Sequence, residues 1–220
     1  MKVTLLNVTP NAEEHIVEVA RVSSSRKNKK DKPEGLLSYL VRHKHWSPFE
    51  HSYATFEIET SKAIGIQLIR HRSFSFQEFS QRYQDVNHMG DMFEPIELRA
   101  QCEDNRQSST EVIDPKFDIM GVVSYPANEA IEKHFESCQT LYNRLLDAGV
   151  AREQARSILP LTVYTKVWWT ASFQSIMNFI ELRDEKTSQV EIQEYARALK
   201  EIMLETFTET TKLWGETYWK

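Results

Sequence analysis

A chain of 220 residues is long enough for one sizeable domain, and 40% hydrophobic content with 11% aromatic residues supplies a core. Twenty-seven basic against 32 acidic residues leave a formal charge of −5, which argues against a general nucleic-acid binder but still allows a basic pocket for one phosphate. No apolar run approaches the roughly 20 residues that cross a bilayer, polar residues follow directly on the opening Met1–Leu6, and two cysteines, Cys102 and Cys138, are too few for a disulfide framework; a reducing cytoplasm is the expected setting.

Met1–Val8 reads as a short strand. Asn11 with Glu14 three residues on predicts a capped helix start, the helix running toward Val22. Ser23–Lys32 is polar and densely basic, either a solvated loop or one that orders over an anionic ligand. Leu36, Leu37, Leu40 and Val41 fall on one helical face. Ala54, Phe56 and Ile58 alternate with Thr55, Glu57 and Glu59, the pattern of a strand. Ser61 is placed to cap a further helix, with Ala63, Ile64 and Ile69 on its apolar face, that runs into Arg70. From Leu98 to Asp118 the chain is polar and aperiodic, which predicts a long surface excursion. Ile131, Phe135, Cys138, Tyr142 and Leu145 define a long amphipathic helix that ends near Gly149 and buries the Cys138 thiol; Cys102 is expected to be exposed. A second helix carries Arg152 and Arg156 and stops at Pro160. Leu161–Thr170 reads as a strand, with Trp168 and Trp169 both in the core. Ser172 is positioned to cap a helix holding Ile176, Met177, Phe179 and Ile180, and a final helix covers about Val190–Phe207. Strands and helices without a regular βαβ rhythm predict an α+β fold, a single domain whose mixed or antiparallel sheet is flanked by helices.

The densest polar cluster runs from Arg70 to Tyr83 (RHRSFSFQEFSQRY). Its arginines suit bidentate phosphate recognition, its serines add neutral donors, Glu78 can accept from a base, a ribose or an arginine, and its phenylalanines can wall a planar ring. The residues alone leave open a second reading, an edge strand with solvated charges that turns Phe74 and Phe76 into a core.

Arg70-His71-Arg72, followed by seven residues and then Ser80, resembles the RHR-x7-S signature of the flavin-dependent thymidylate synthases. Further blocks are similar in the same order: Ala20–Ser23, His45-Trp46-Ser47-Pro48-Phe49-Glu50-His51, Arg156–Leu161, and Ser175–Phe179 with Leu182-Arg183. The resemblance implies reductive methylation of dUMP to dTMP. Methylene-tetrahydrofolate would be the carbon donor, FAD reduced by NADPH would be the hydride source, and no cysteine would act as nucleophile. It implies a homotetramer with shared active sites, and neither a metal, a nucleic acid nor a membrane as partner. For dUMP it implies Gln67, Arg70, Glu78, Ser80, Gln81, Arg82, Arg156 and Arg183. Arg82, Arg156 and Ser80 would sit on the phosphate, Gln67 and Glu78 on ribose or base, and Arg183 against the pyrimidine. For FAD it implies Ser23, Ser47, Arg70, His71, Arg72, Glu78, Ser172, Gln174 and Asn178, with His45 and Glu50 on the cofactor side. Arg183, Ser80 and His45 are the catalytic candidates. The chain departs from the family at Ser172, where many relatives carry Asn, and at Thr187, which stands in a histidine's place. A non-catalytic flavin- or nucleotide-binding relative is the alternative that these departures suggest.

Overall fold

A computed structural model describes residues 1–23, 33–119 and 123–219; of the basic stretch expected over Ser23–Lys32, only the backbone of Ser23 is among them. The fold is α+β, as expected. The elements are β1 (Lys2–Val8), α1 (Ala12–Ala20), α2 (Pro33–Arg42), β2 (Tyr53–Ser61), α3 (Lys62–Leu68), β3 (Ser75–Glu78), β4 (Arg99–Gln101), β5 (Ser109–Val112), β6 (Lys116–Ile119), β7 (Val123–Pro126), α4 (Ala127–Asp147), α5 (Arg152–Ala155), β8 (Tyr164–Ser172), α6 (Phe173–Arg183), α7 (Val190–Thr206) and α8 (Thr208–Tyr218). They group into two compact units of discontinuous chain, Met1–Ile58 with Ile69–Gln77 and Trp168–Lys220, and Glu59–Leu68 with Glu78–Val167.

The first unit contains β1 and the greater part of β2, β8 and β3, which lie in the order β1-β2-β8-β3. Alternation along β2 buries Ala54, Phe56 and Ile58, and along β8 it buries Val167, Trp169 and Ala171. The same alternation corrects the reading of the tryptophan pair. Successive strand residues face opposite ways, so Trp169 is buried while Trp168 is 50% exposed, its indole N–H donating to Glu57 at 2.9 Å. Ser172 caps α6 as expected, its hydroxyl accepting from the Ser175 N–H at 3.3 Å. At α1 the cap differs: Asn11 adopts the left-handed conformation (φ 48°), and its side chain caps nothing. The carboxylate of Glu13 instead accepts both the N–H (2.6 Å) and the hydroxyl (2.7 Å) of Thr210 in the first turn of α8, a helix that no sequence pattern announced.

The second unit has its own core of Val86, Met92, Tyr142, Ala155 and Val163. α4 ends as expected, with Gly149 at φ 81°. Part of the segment expected to be an aperiodic excursion is strand instead: β4 and β5 pair antiparallel, and β6, which begins within it, pairs antiparallel with β7. Their ladders are satisfied by backbone hydrogen bonds while many of the side chains stay in solvent, so no apolar period marked them. α3 stops at Leu68, which leaves Ile69 exposed rather than on a buried face. The helix expected through Arg156 is a single turn, α5, continued by a 3-10 turn at Arg156–Ile158.

Candidate functional site

The RHR-x7-S string begins in the first unit and continues, from Glu78, in the second. Its middle forms the edge strand β3, so the plainer reading of this segment also holds: Phe74 is buried and Phe76 is half-buried.

In the first unit the structure joins two residues that the sequence assigned to different ligands. The Arg183 Nε–H donates to Nε2 of His71 at 3.0 Å. His71 stacks on Phe74 (ring centroids 5.5 Å apart, planes at 17°) and meets the edge of Phe179 at 4.7 Å. Burial, reinforced by the Arg183 charge, lowers the His71 pKa from its ordinary 6.5 to about 4, and burial also lowers that of Arg183. His71 is therefore neutral near pH 7, and Arg183 rests on an uncharged acceptor rather than a carboxylate. Between about pH 4 and 6.5 the unfolded chain binds a proton that the native state does not, so stability rises with pH across that window. Urea midpoints measured at a series of pH values are expected to fall as the pH is lowered through it, and to fall less in His71→Phe.

The HWSPFEH block forms a 3-10 turn, Ser47–His51, with Pro48 and Phe49 buried and His45, Ser47 and Glu50 exposed. Glu50 accepts from the Ser172 hydroxyl at 2.8 Å, so that hydroxyl ties the turn to the start of α6. Gln174 and Asn178 lie one turn apart on α6, half-buried and exposed, while Arg70 and Arg72 are exposed. Cationic, amide and hydroxyl donors in this unit are the set that a dinucleotide's diphosphate and ring edge need, so the residues present fit FAD.

In the second unit Glu78 accepts from Lys62 Nζ at 2.7 Å and from the Thr165 hydroxyl at 3.0 Å. Lys62 and Thr165 orient this carboxylate, and the sequence reading missed both because neither falls in a motif. Arg82 pairs with Glu153 at 3.3 Å, both half-exposed. Such a surface pair is worth at most about 1 kcal/mol, so a phosphate can displace the carboxylate. Gln81 is buried, and its amide Nε2 has no hydrogen-bond partner among the described residues, a donor suited to a nucleotide oxygen. Gln67, Ser80 and Arg156 are half-buried. Cys138 is buried in α4 beside His134 (3.5 Å), and Cys102 is half-buried rather than exposed.

The sequence model of a family described as "Thymidylate synthase complementing protein" matches residues 4–207. The chain is similar to a probable flavin-dependent thymidylate synthase of Paramecium bursaria Chlorella virus 1, 40% identical over 202 residues that cover 91% of this chain and 89% of the relative. It is similar to flavin-dependent thymidylate synthases of Thermosipho melanesiensis (36% over 190 residues, 86% and 80% of the two chains) and Synechocystis (36% over 192 residues, 87% and 84%).

Proposed function

Because the chain belongs to the flavin-dependent thymidylate synthases, and so is a methyltransferase, we propose that it converts dUMP to dTMP with methylene-tetrahydrofolate as carbon donor and NADPH as reductant. The observation that carries this reading is Arg183 held on a neutral histidine. A guanidinium whose partner is uncharged keeps its full charge for a ligand, and a partly buried site strengthens that charge's effect. Set against the pyrimidine, it stabilises the negative charge that develops as the ring carbon becomes nucleophilic.

Arg82 and Arg156 take the phosphate, with Ser80 and the Gln81 amide as neutral donors. Glu78, oriented by Lys62 and Thr165, takes a ribose or base donor together with Gln67. Arg70, Arg72, Gln174, Asn178 and Ser47 hold FAD, with Ser23 contributing. The Ser172 hydroxyl supports this set from behind through Glu50. His45, exposed beside the same turn, is on the cofactor side. Bound FAD supplies the hydride that completes the methyl group. No cysteine attacks the pyrimidine: the Cys138 thiol is buried, and neither Cys138 nor Cys102 falls within a motif block of the sequence. The reading extends to a single catalytic domain that works in the cytoplasm as a homotetramer with shared sites.

An absorbance spectrum of the purified protein, followed by tritium release from dUMP labelled at the methyl-accepting carbon, tests the reading. Release that requires FAD, NADPH and methylene-tetrahydrofolate is expected. Flavin binding without release would instead identify a non-catalytic relative and direct attention to Ser172 and Thr187. Neither flavin nor release would overturn the proposal.

A further inference from the structure

We infer that His71 is the positioning residue of Arg183, a hydrogen-bond acceptor that fixes the guanidinium by its Nε and leaves both Nη groups for the ligand. The inference rests on the function proposed above for its activity readout, but not for its structural one. The pair is built from local geometry. Phe179 and Arg183 stand four residues apart on α6, so they share a face, and a ring seated against Phe179 comes within reach of Arg183 one turn on. A tight turn completes the seat: the Phe74 N–H donates to the His71 carbonyl at 3.1 Å, which folds the imidazole over the Phe74 ring. Phe74 is itself locked edge-on to Trp169 at 4.5 Å. Nε2 can accept only if it carries no proton, so the ring proton belongs on Nδ1.

The consequence is one of preorganisation. A free arginine samples many rotamers and must be ordered when ligand binds, whereas one tied at Nε presents a planar fork already aimed. The middle residue of the RHR motif thus acts through Arg183. A side chain held this way contributes where the reacting geometry matters most, in the transition state, and so affects turnover more than ground-state affinity.

Two variants of the flavin-loaded protein separate the roles. His71→Phe keeps a ring between Phe74 and Phe179 and removes the acceptor. His71→Gln places an amide oxygen near the position of Nε2. With flavin content matched by absorbance, His71→Phe is expected to lower kcat by roughly tenfold, the scale of one lost positioning hydrogen bond. Nucleotide affinity by calorimetry should change little, and His71→Gln should recover most of the rate. Wild-type kcat in His71→Phe, or no recovery in His71→Gln, overturns the inference. A readout independent of activity is nitrogen NMR of the imidazole in the full-length protein. An unprotonated Nε2 whose resonance moves in Arg183→Gln supports the pair, and a protonated or unmoved Nε2 overturns it. A wild type that fails to release tritium would sink the proposed function, while the NMR result would still decide the His71 pair.

Discussion

Arg183→Gln is expected to lower kcat by roughly 10²–10³-fold, the scale on which removal of one preorganised transition-state donor is felt. The prediction follows from what surrounds the side chain. Arg183 closes α6, half-buried, with its Nε bonded to a histidine that stays neutral above about pH 4. No carboxylate among the described residues is hydrogen-bonded to it, whereas the next residue, Asp184, is engaged by Arg197 at 2.7 Å. Glutamine retains a donor and much of the length but loses the charge, so it tests the charge itself. On the proposed function, dUMP affinity should fall far less than turnover, because negative charge on the pyrimidine would grow only as the reaction proceeds. Single-turnover rates and nucleotide binding by calorimetry check both halves. Equal losses in the two would assign Arg183 to ground-state binding and remove its electronic role. The pairing adds a further condition. If His71 acts through Arg183, then once Arg183 is gone the change His71→Phe should cost little more, and the double mutant should be clearly non-additive.

Much of this architecture was legible because it depends on local chemistry. The Ser172 cap is written as a serine before an apolar helical run, and the end of α4 as a glycine that reaches φ 81°. What the sequence hid depends on partners far away in the chain. α8 carries threonines where an amphipathic helix would carry leucines. It is held because Glu13, 197 residues earlier, bonds Thr210, and because the Tyr218 hydroxyl donates to the Val41 carbonyl at 2.7 Å. Paired strands with solvated side chains leave no period to read, so β4, β5 and the start of β6 passed for irregular chain. Trp168 and Trp169 were both legible as strand residues, and only the alternation rule, not their hydrophobicity, separates the one in the core from the one in solvent. The same division holds at the site. The RHR-x7-S spacing singles out the string in the sequence, but the contacts its residues make within each unit arise from the packing. His71 meets Arg183 across 112 residues, and Lys62 with Thr165 orients Glu78 from positions that carry no motif.

Trp169 joins stability to that site, and its removal is expected to be the most destabilising single change in the first unit. It is 1% exposed and packs against Phe74 at 4.5 Å, Phe179 at 4.9 Å and Phe56 at 5.8 Å. Trp169→Ala opens a cavity among these rings and should cost about 3–5 kcal/mol, read as a lowered urea midpoint with little change in slope. Trp169→Phe separates packing from polarity. The indole Nε1 is buried and has no hydrogen-bond partner among the described residues, so phenylalanine gives up part of the ring but also removes an unsatisfied donor. Its cost should therefore be a small fraction of the alanine cost. If the two variants were equally destabilised, the indole N–H would have to be making a bond. Because Phe74 and Phe179 are also the two rings that hold His71, a protein carrying Trp169→Ala and still folded should lose turnover in the same pattern as His71→Phe, with rate falling before nucleotide affinity. Trp169→Phe, with the aromatic floor kept, should retain the rate. A Trp169→Ala protein that turns over normally once its fold is stabilised by low temperature would show that Arg183 needs no such support.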